Sequence, residues 1–307
     1  MKSLTILVTG ASSGIGRHTA LALAGAGHRV FATGRRQHAL DSLAKEASGL
    51  GAGSLETLVL DVTSAESIAA AKRAIDERTG GHGVDALVNN AGFGLMGPLE
   101  EIDDAALHRQ FETNVFGLMA VTRAFVPAMR ARGFGRVVNV SSMGGRVTFP
   151  MMGAYNATKY AVESLSDALR NELYPFGIRV ALIEPGYIRT EFADVAMSTL
   201  GAADVPQGSP YAAVLKRADE MLGLFEKTGV GPEHVARAIR KAIESRSPRA
   251  RYVAPWRTYA GLFFFQWLPT AWVDALLRAA TGLTARNLRA LPAKSAPGSS
   301  EKGVEAA

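Results

Sequence analysis

The sequence predicts an α/β fold built on a doubly wound parallel sheet of about seven strands, and three observations carry that prediction. Short β-branched apolar runs alternate with longer stretches of helical periodicity. The first strand passes into the first helix through a glycine-rich turn, and the next run completes a βαβ unit. Glycines stand where several helical stretches end.

Leu4 to Thr9 is the first strand, Gly10 to Gly16 the turn, and an Ala/Leu-rich helix runs to about Ala26, where Gly27 closes it. A strand follows at Arg29 to Thr33, then a helix from Gln37 to Ala47, a strand from Leu55 to Leu60, a helix from Ser64 to Arg78 and a strand from Ala86 to Asn89. Asp103 to Arg132 reads as one long helix, with Asn114 in its middle. The remaining pattern is a strand at Arg136 to Val140, a helix from Tyr155 to about Tyr174, a strand at Arg179 to Ile183, a helix from Pro232 to Ser245 and a last strand at Arg251 to Ala254. A Rossmann-like domain is therefore expected over residues 1 to 255.

Composition narrows the chemistry. The chain has no cysteine, which excludes disulfides, thiolate metal sites and cysteine nucleophiles and fits a reducing, cytoplasmic compartment. Its six histidines are scattered without metal-ligand spacing, so no metal is expected. The net charge of +6 is concentrated late: Lys216 to Arg257 holds ten Lys/Arg against five Asp/Glu. That distribution argues against nucleic acid as a partner. Met1-Lys2-Ser3 leads directly into an apolar strand with no signal-like h-region, so secretion is not expected.

Ligands in this architecture bind at strand ends. The turn Gly10-Ala11-Ser12-Ser13-Gly14-Ile15-Gly16 lets backbone amides approach a pyrophosphate at a helix N-terminus. After the second strand the chain reads Gly34-Arg35-Arg36, where NAD-binding units place an acid for the ribose hydroxyl. Arginine there suits a 2′-phosphate, so NADP(H) is the expected cofactor, with Arg35 as its reader and Arg36 a solvated neighbour. Asp61 and Val62 follow the third strand, where a carboxylate could receive an adenine amino group. Asn89, Ala91 and Gly92 follow the fourth, with small residues that permit close approach to a ribose. Tyr155 and Lys159 are four apart, so on a helix they share a face. A nearby cation favours the phenolate, and Lys159 is therefore expected to lower the Tyr155 pKa. Ser142 arrives from the fifth strand to complete a proton-transfer site, and Asn114 is read either as a core amide or as a holder of water near Lys159.

Taken in order, Thr9-Gly10, Gly14-Ile15-Gly16, Asn89-Asn90-Ala91-Gly92, Asn114, Ser142, Tyr155 with Lys159, and Pro185-Gly186 with Thr190 resemble the short-chain dehydrogenase/reductase family across roughly residues 4 to 255. Residues 53–58, 94–100 and 175–178 are similar to its 17β-hydroxysteroid and retinol dehydrogenase branch. The resemblance implies hydride transfer between nicotinamide and a carbonyl or alcohol carbon. It makes Tyr155 the general acid/base, Lys159 a ribose ligand, Ser142 a donor to the substrate oxygen and Asn114 part of a water relay. Pro185, Gly186, Ile188 and Thr190 would line the nicotinamide, and the long helices would pair in a homodimer or homotetramer.

Beyond Tyr187 the sheet rhythm stops. Val195, Met197, Leu200, Tyr211, Val214, Leu215, Met221, Leu222 and Phe225 are spaced like short amphipathic helices, which predicts a lid over about 187 to 230. With Phe93, Met143, Val147, Phe149, Met152 and Tyr187 it would enclose a hydrophobic carbonyl or alcohol of steroid, retinoid or aryl-ketone type. A β-ketoacyl-type reductase, an NADPH-binding regulator without turnover and a membrane scaffold are the alternatives. Residues 256–290 form an apolar, aromatic extension in which Thr258 to Val273 carry no charge and Pro269 interrupts. Too short to span a bilayer, it is expected to cover the substrate cleft, to meet a second copy or to contact a membrane peripherally through 256–280. The stretch 291–307 is expected to be disordered.

Overall fold

Period-two alternation in the strands sends apolar side chains to both faces of the sheet, so both faces need helices. The computed structural model describes residues 3–49, 53–192, 209–212, 214–215, 229–284 and 288. Its strands are β1 (Thr5–Val8), β2 (Arg29–Gly34), β3 (Ser54–Val59), β4 (Ala86–Asn89), β5 (Gly135–Val140), β6 (Ile178–Pro185) and β7 (Arg251–Ala254). They form one parallel sheet in the order β3-β2-β1-β4-β5-β6-β7. The order reverses between β1 and β4, which opens a crevice above their C-terminal ends.

The helices are α1 (Gly14–Gly25), α2 (Gln37–Ala47), α3 (Ala65–Arg78), α4 (Asp104–Phe111), α5 (Leu118–Arg132), α6 (Gly153–Leu173), α7 (Glu233–Glu244), α8 (Arg257–Trp267) and α9 (Thr270–Thr281). On one face Ile6 and Val8 pack with Leu23 of α1 and Val235 and Ile239 of α7. On the other, Leu7 and Leu87 meet Ile75 of α3 and Val121 and Phe125 of α5. Side-chain caps fix two of the starts: Ser64 accepts the Ser67 amide at 3.1 Å and Asp103 the Ala106 amide at 2.6 Å. Gly133 and Gly177 end α5 and the turn after α6 with φ of 69° and 73°.

Element boundaries agree with the sequence pattern to within a residue or two, with one correction. The single helix expected over Asp103 to Arg132 is divided by a π-helical segment, Glu112–Gly117, which contains Asn114. One wider turn shifts the helical register and turns that amide inward. The uncharged run after β7 is two helices hinged at Pro269. Of the lid residues, Tyr211, Val214 and Leu215 are described; Val195, Met197, Leu200, Met221, Leu222, Phe225 and the stretch 291–307 lie outside the described residues.

Candidate active site

The turn after β1 and the loop after β4 are bound to each other. The Thr9 hydroxyl accepts the amides of Asn90 (3.0 Å) and Ala91 (3.1 Å), and the Asn90 side-chain amide donates to the carbonyls of Thr9 and Gly10, each at 3.1 Å. The contact is so close that a Cβ at Gly10, whose φ is 66°, would lie 2.7 Å from the Ala91 Cα. Thr9 and Asn90 belong to the motifs read from the sequence, but of these three residues only Asn89 is expected to meet the cofactor. The buried Asn89 side-chain amide donates to Thr122 of α5 and Asn139 of β5, both at 2.9 Å, so this side chain faces the interior.

The glycine turn fronts a cleft of about 470 Å³ whose walls include Ser12, Ser13, Gly14, Arg17, Arg36 and Thr190. Ser13 occupies the N-cap of α1 without a side-chain capping bond, and the first turn of that helix holds no acid. Hydroxyls, arginines and a helix N-terminus suit the phosphates of a dinucleotide. Both arginines after β2 are exposed, and Arg36 is the one of the two that lines this cleft. Past the strand end, alternation no longer decides which of two adjacent arginines faces inward. Thr190 sits across from Gly14, where an added Cβ would come within 3.3 Å of it. Asp61 spends Oδ1 on the Thr63 amide and hydroxyl, at 2.9 and 2.8 Å, and Val62 beside it is buried. Gly186 donates its amide to Ala254 at 2.9 Å, Pro185 is buried at the end of β6, and Ile188 forms an isolated bridge with Val230.

At the other end of the crevice, β5 delivers Ser142 in extended conformation. Its oxygen accepts the Gly144 amide at 3.0 Å, and its hydroxyl is near enough to the Tyr155 phenol to act against the rise that burial causes there. Helix α6 holds Tyr155 and Lys159 a turn apart, with the lysine Nζ 5.7 Å from the phenol ring centroid and donating to the Val140 carbonyl at 2.9 Å. Both residues are buried. Burial pushes the Tyr155 phenol up to about 12, against the opposing Ser142 hydrogen bond. Burial likewise brings Lys159 down to about 8, against the opposing charge of Glu163. Desolvation is the larger influence on Tyr155, and it raises the phenol, in the direction opposite to the lowering expected from Lys159.

Asn114 has a full set of partners. Its oxygen accepts the Phe93 amide at 3.1 Å, and its nitrogen donates to the Phe93 carbonyl at 3.0 Å and the Thr158 hydroxyl at 3.1 Å. Both amide protons are engaged, so the side chain pins the β4 loop to α6. Asn156, which sequence reasoning missed, does the same for the next loop, donating to the Gly144 carbonyl at 2.9 Å and accepting the Phe149 amide at 3.0 Å. Of the other residues expected to line a substrate pocket, Met143, Phe149, Met152 and Tyr187 are half-buried, and Val147 is buried. Phe93 packs with Leu95 and Ala154. Met152 joins Met96, Met151, Val214 and Leu215 in an apolar cluster that also receives Leu283 and Leu288. Phe192, another residue missed earlier, lays its ring 5.4 Å from that of Tyr155.

A buried charge network lies behind Lys159. Arg251 contacts Glu163 and Glu184, each at 3.1 Å, and Asp167 at 2.7 Å, while Arg146 contacts Glu184 at 3.0 Å. With its amide oriented to match, Gln266 of α8 accepts from Arg146 at 2.6 and 3.0 Å.

A sequence profile described as short chain dehydrogenase matches residues 4–213. The chain belongs to this family. Among curated relatives, the uncharacterized oxidoreductase YbbO of Escherichia coli is 37% identical over 89% of this chain and 94% of its own length. Human 17-beta-hydroxysteroid dehydrogenase type 1 is 36% identical over 82% and 77%, and rat retinol dehydrogenase 16 is 36% identical over 88% and 86%. Among solved structures, a Burkholderia phymatum short chain dehydrogenase in complex with NAD superposes with a TM-score of 0.74 at 28% identity over 85% of this chain and 92% of that one. A Sphingobium yanoikuyae short-chain dehydrogenase in complex with NADPH gives 0.65 at 26% identity over 95% and 98%.

As a short-chain dehydrogenase the protein is a nicotinamide-dependent oxidoreductase with a Rossmann-like fold, in the branch of the hydroxysteroid and retinol dehydrogenases. Ser142, Tyr155 and Lys159 come together in space, and so do Gly10, Ser12, Ser13, Gly14 and Thr190.

Proposed function

We propose that the chain is an NADP(H)-dependent reductase of an apolar carbonyl compound, with Tyr155 as the proton donor. The observation that carries the reading is the buried Tyr155 phenol, which burial pushes up, beside Ser142 and one turn from Lys159. A phenol held as the acid suits reduction, in which the substrate oxygen must gain a proton.

The cradle fits a dinucleotide. Ser12, Ser13 and the amides at the start of α1 would hold the pyrophosphate, Asp61 and Val62 would flank the adenine, and Ala91 with Gly92 would border the ribose. Pro185, Gly186, Ile188 and Thr190 would line the nicotinamide. When bound, the dinucleotide supplies the hydride. Ser142 accepts a hydrogen bond from Gly144, which leaves its single proton to be donated on the phenol side of the site, and a substrate oxygen placed there would take that proton as negative charge develops. Tyr155 delivers its proton to that same oxygen, and the Lys159 ammonium stabilises the phenolate left behind. Arg36, on the cleft wall, and Arg17, beside it, support a preference for the 2′-phosphate, since no acid follows β2. The apolar surroundings of Met143, Phe149, Met152, Phe93 and Phe192 support a bulky hydrophobic substrate, as do the steroid and retinol in the relatives' names.

The test is NADPH consumption with a panel of steroid, retinoid, aryl and aliphatic carbonyls. Tyr155→Phe should lower turnover by about 10³-fold while NADPH affinity stays within a few fold. Retained turnover would remove Tyr155 as the proton donor, and binding without consumption in the parent chain would favour a regulator. Arg36→Asp should weaken NADPH by about tenfold or more while sparing NADH. Equal losses for both cofactors would remove Arg36 as the phosphate reader.

A further inference from the structure

The chain contains three tryptophans, and all of them lie in the extension after β7. Trp256, Trp267 and Trp272 are 75%, 77% and 67% exposed, and Leu276, one helical turn beyond Trp272, is 49% exposed. Large aromatic side chains ordinarily supply buried apolar area, and tryptophans held at a surface are characteristic of membrane–water interfaces. Helix α9 has no buried residue among those described. The sixteen residues from Thr258 to Val273 carry no charge, and exposed arginines stand on either side at Arg257 and Arg278, with Asp274 the acid between them. No described helix is long and apolar enough to cross a membrane. Short helices with an aromatic centre and cationic margins are built to lie in the headgroup layer.

We propose that α8 and α9 form a peripheral docking surface for an anionic lipid bilayer. Charge complementarity selects this occupant over a second copy of the chain. Arg257 and Arg278 form no ion pair among the described residues, an anionic headgroup layer neutralises both, and the same patch on another copy offers them one carboxylate, Asp274. The surface is also joined to the catalytic region. Thr258 packs on Gly186, Gln266 accepts from Arg146, and Leu283 and Leu288 cover the Met96 and Met151 cluster next to Met152. An apolar compound dissolved in the bilayer would therefore meet the enzyme on the side where its hydrophobic wall lies. The docking itself does not depend on the substrate reading.

Because every tryptophan belongs to this extension, the native chain carries its own reporter. Vesicles of phosphatidylcholine with phosphatidylglycerol should shift its tryptophan emission to the blue, and brominated acyl chains should quench it. Phosphatidylcholine alone should bind at least about tenfold more weakly, and salt should diminish the difference. The Trp256→Gln/Trp267→Gln/Trp272→Gln variant should lose cosedimentation with anionic vesicles by tenfold or more, with its thermal midpoint and NADPH affinity retained. The Arg257→Gln/Arg278→Gln variant, which keeps the tryptophans, should lose the anionic preference. Absence of a blue shift with anionic vesicles would overturn the proposal. So would a light-scattering dimer that the tryptophan variant dissolves while neither protein binds vesicles, because a second copy would then be the occupant.

Discussion

Lys159 occupies surroundings that work against its charge, and Glu163, one turn further along α6, is what opposes them. Burial takes the ammonium down to about 8, and the carboxylate holds it up. Glu163 is itself pushed up by burial first, then by the nearby Glu184, and is held down by Ser141 and Arg251. A group needed in its protonated form contributes below its pKa and is lost as pH rises through it. For reduction, kcat/KM should therefore be level below about pH 8 and fall above it, because that parameter titrates the free enzyme. In Glu163→Gln the acceptor for Arg251 remains but the negative charge is gone, so the falling limb should move to lower pH. A pH–rate profile of both proteins checks this, and an unmoved limb would show that Glu163 is merely structural. Tyr155, near 12, should add no limb in the accessible range.

At the scale of elements, Asn114 shows why a π-helical turn is worth keeping in the middle of a packed helix. Its three hydrogen bonds fix both backbone groups of Phe93 and the hydroxyl of Thr158, which accepts from Asn114 and donates its own proton to the Tyr155 carbonyl at 2.7 Å. Asn114→Ala would leave the half-buried Phe93 amide without its acceptor, while the Phe93 carbonyl keeps Gln110 at 2.8 Å and Thr158 keeps the Tyr155 carbonyl, at a cost of about 1–3 kcal/mol. Its thermal midpoint should fall, and turnover should fall more than NADPH affinity, because the α6 site loses its brace while the β1 turn keeps its bonds to Thr9. Chemical denaturation and cofactor titration separate the two effects. The strands, the glycine stops and the spacing of Tyr155 and Lys159 were legible in the sequence because each follows from a local period or from a backbone conformation special to glycine. The π-helical turn was not, since one added residue per turn leaves no mark on composition. Asn89 could have been placed: it follows Leu87 by two, so its side chain shares the face that packs on α5, and the cleft-side bonds fall to Asn90.

Across the whole molecule, Arg251 joins parts that are distant in sequence. From the last strand it reaches Glu163 and Asp167 on α6 and Glu184 on β6; Arg146 meets the same Glu184, and Gln266 carries the chain of contacts into the extension. No periodicity could have announced this network, since its members lie on four separate segments and each alone reads as a surface charge. Glu184 is 1% exposed, so its charge depends on the two arginines. Arg251→Met keeps the apolar stem but takes the cation from three carboxylates, leaving Arg146 on Glu184, Arg170 on Asp167 and Glu163 without its guanidinium. The variant should lose about 3 kcal/mol of stability at neutral pH. The sign of its pH dependence follows from the carboxylates. Glu163 is already raised by burial against the pull of Arg251, and without the guanidinium it rises further, so its protonation favours the fold and the deficit should shrink as pH falls from 8 toward 5. Denaturation midpoints of parent and variant across that range test this. A deficit independent of pH would show that Arg251 contributes through packing of its stem, whereas one that narrows on acidification would place the carboxylate charges at its origin.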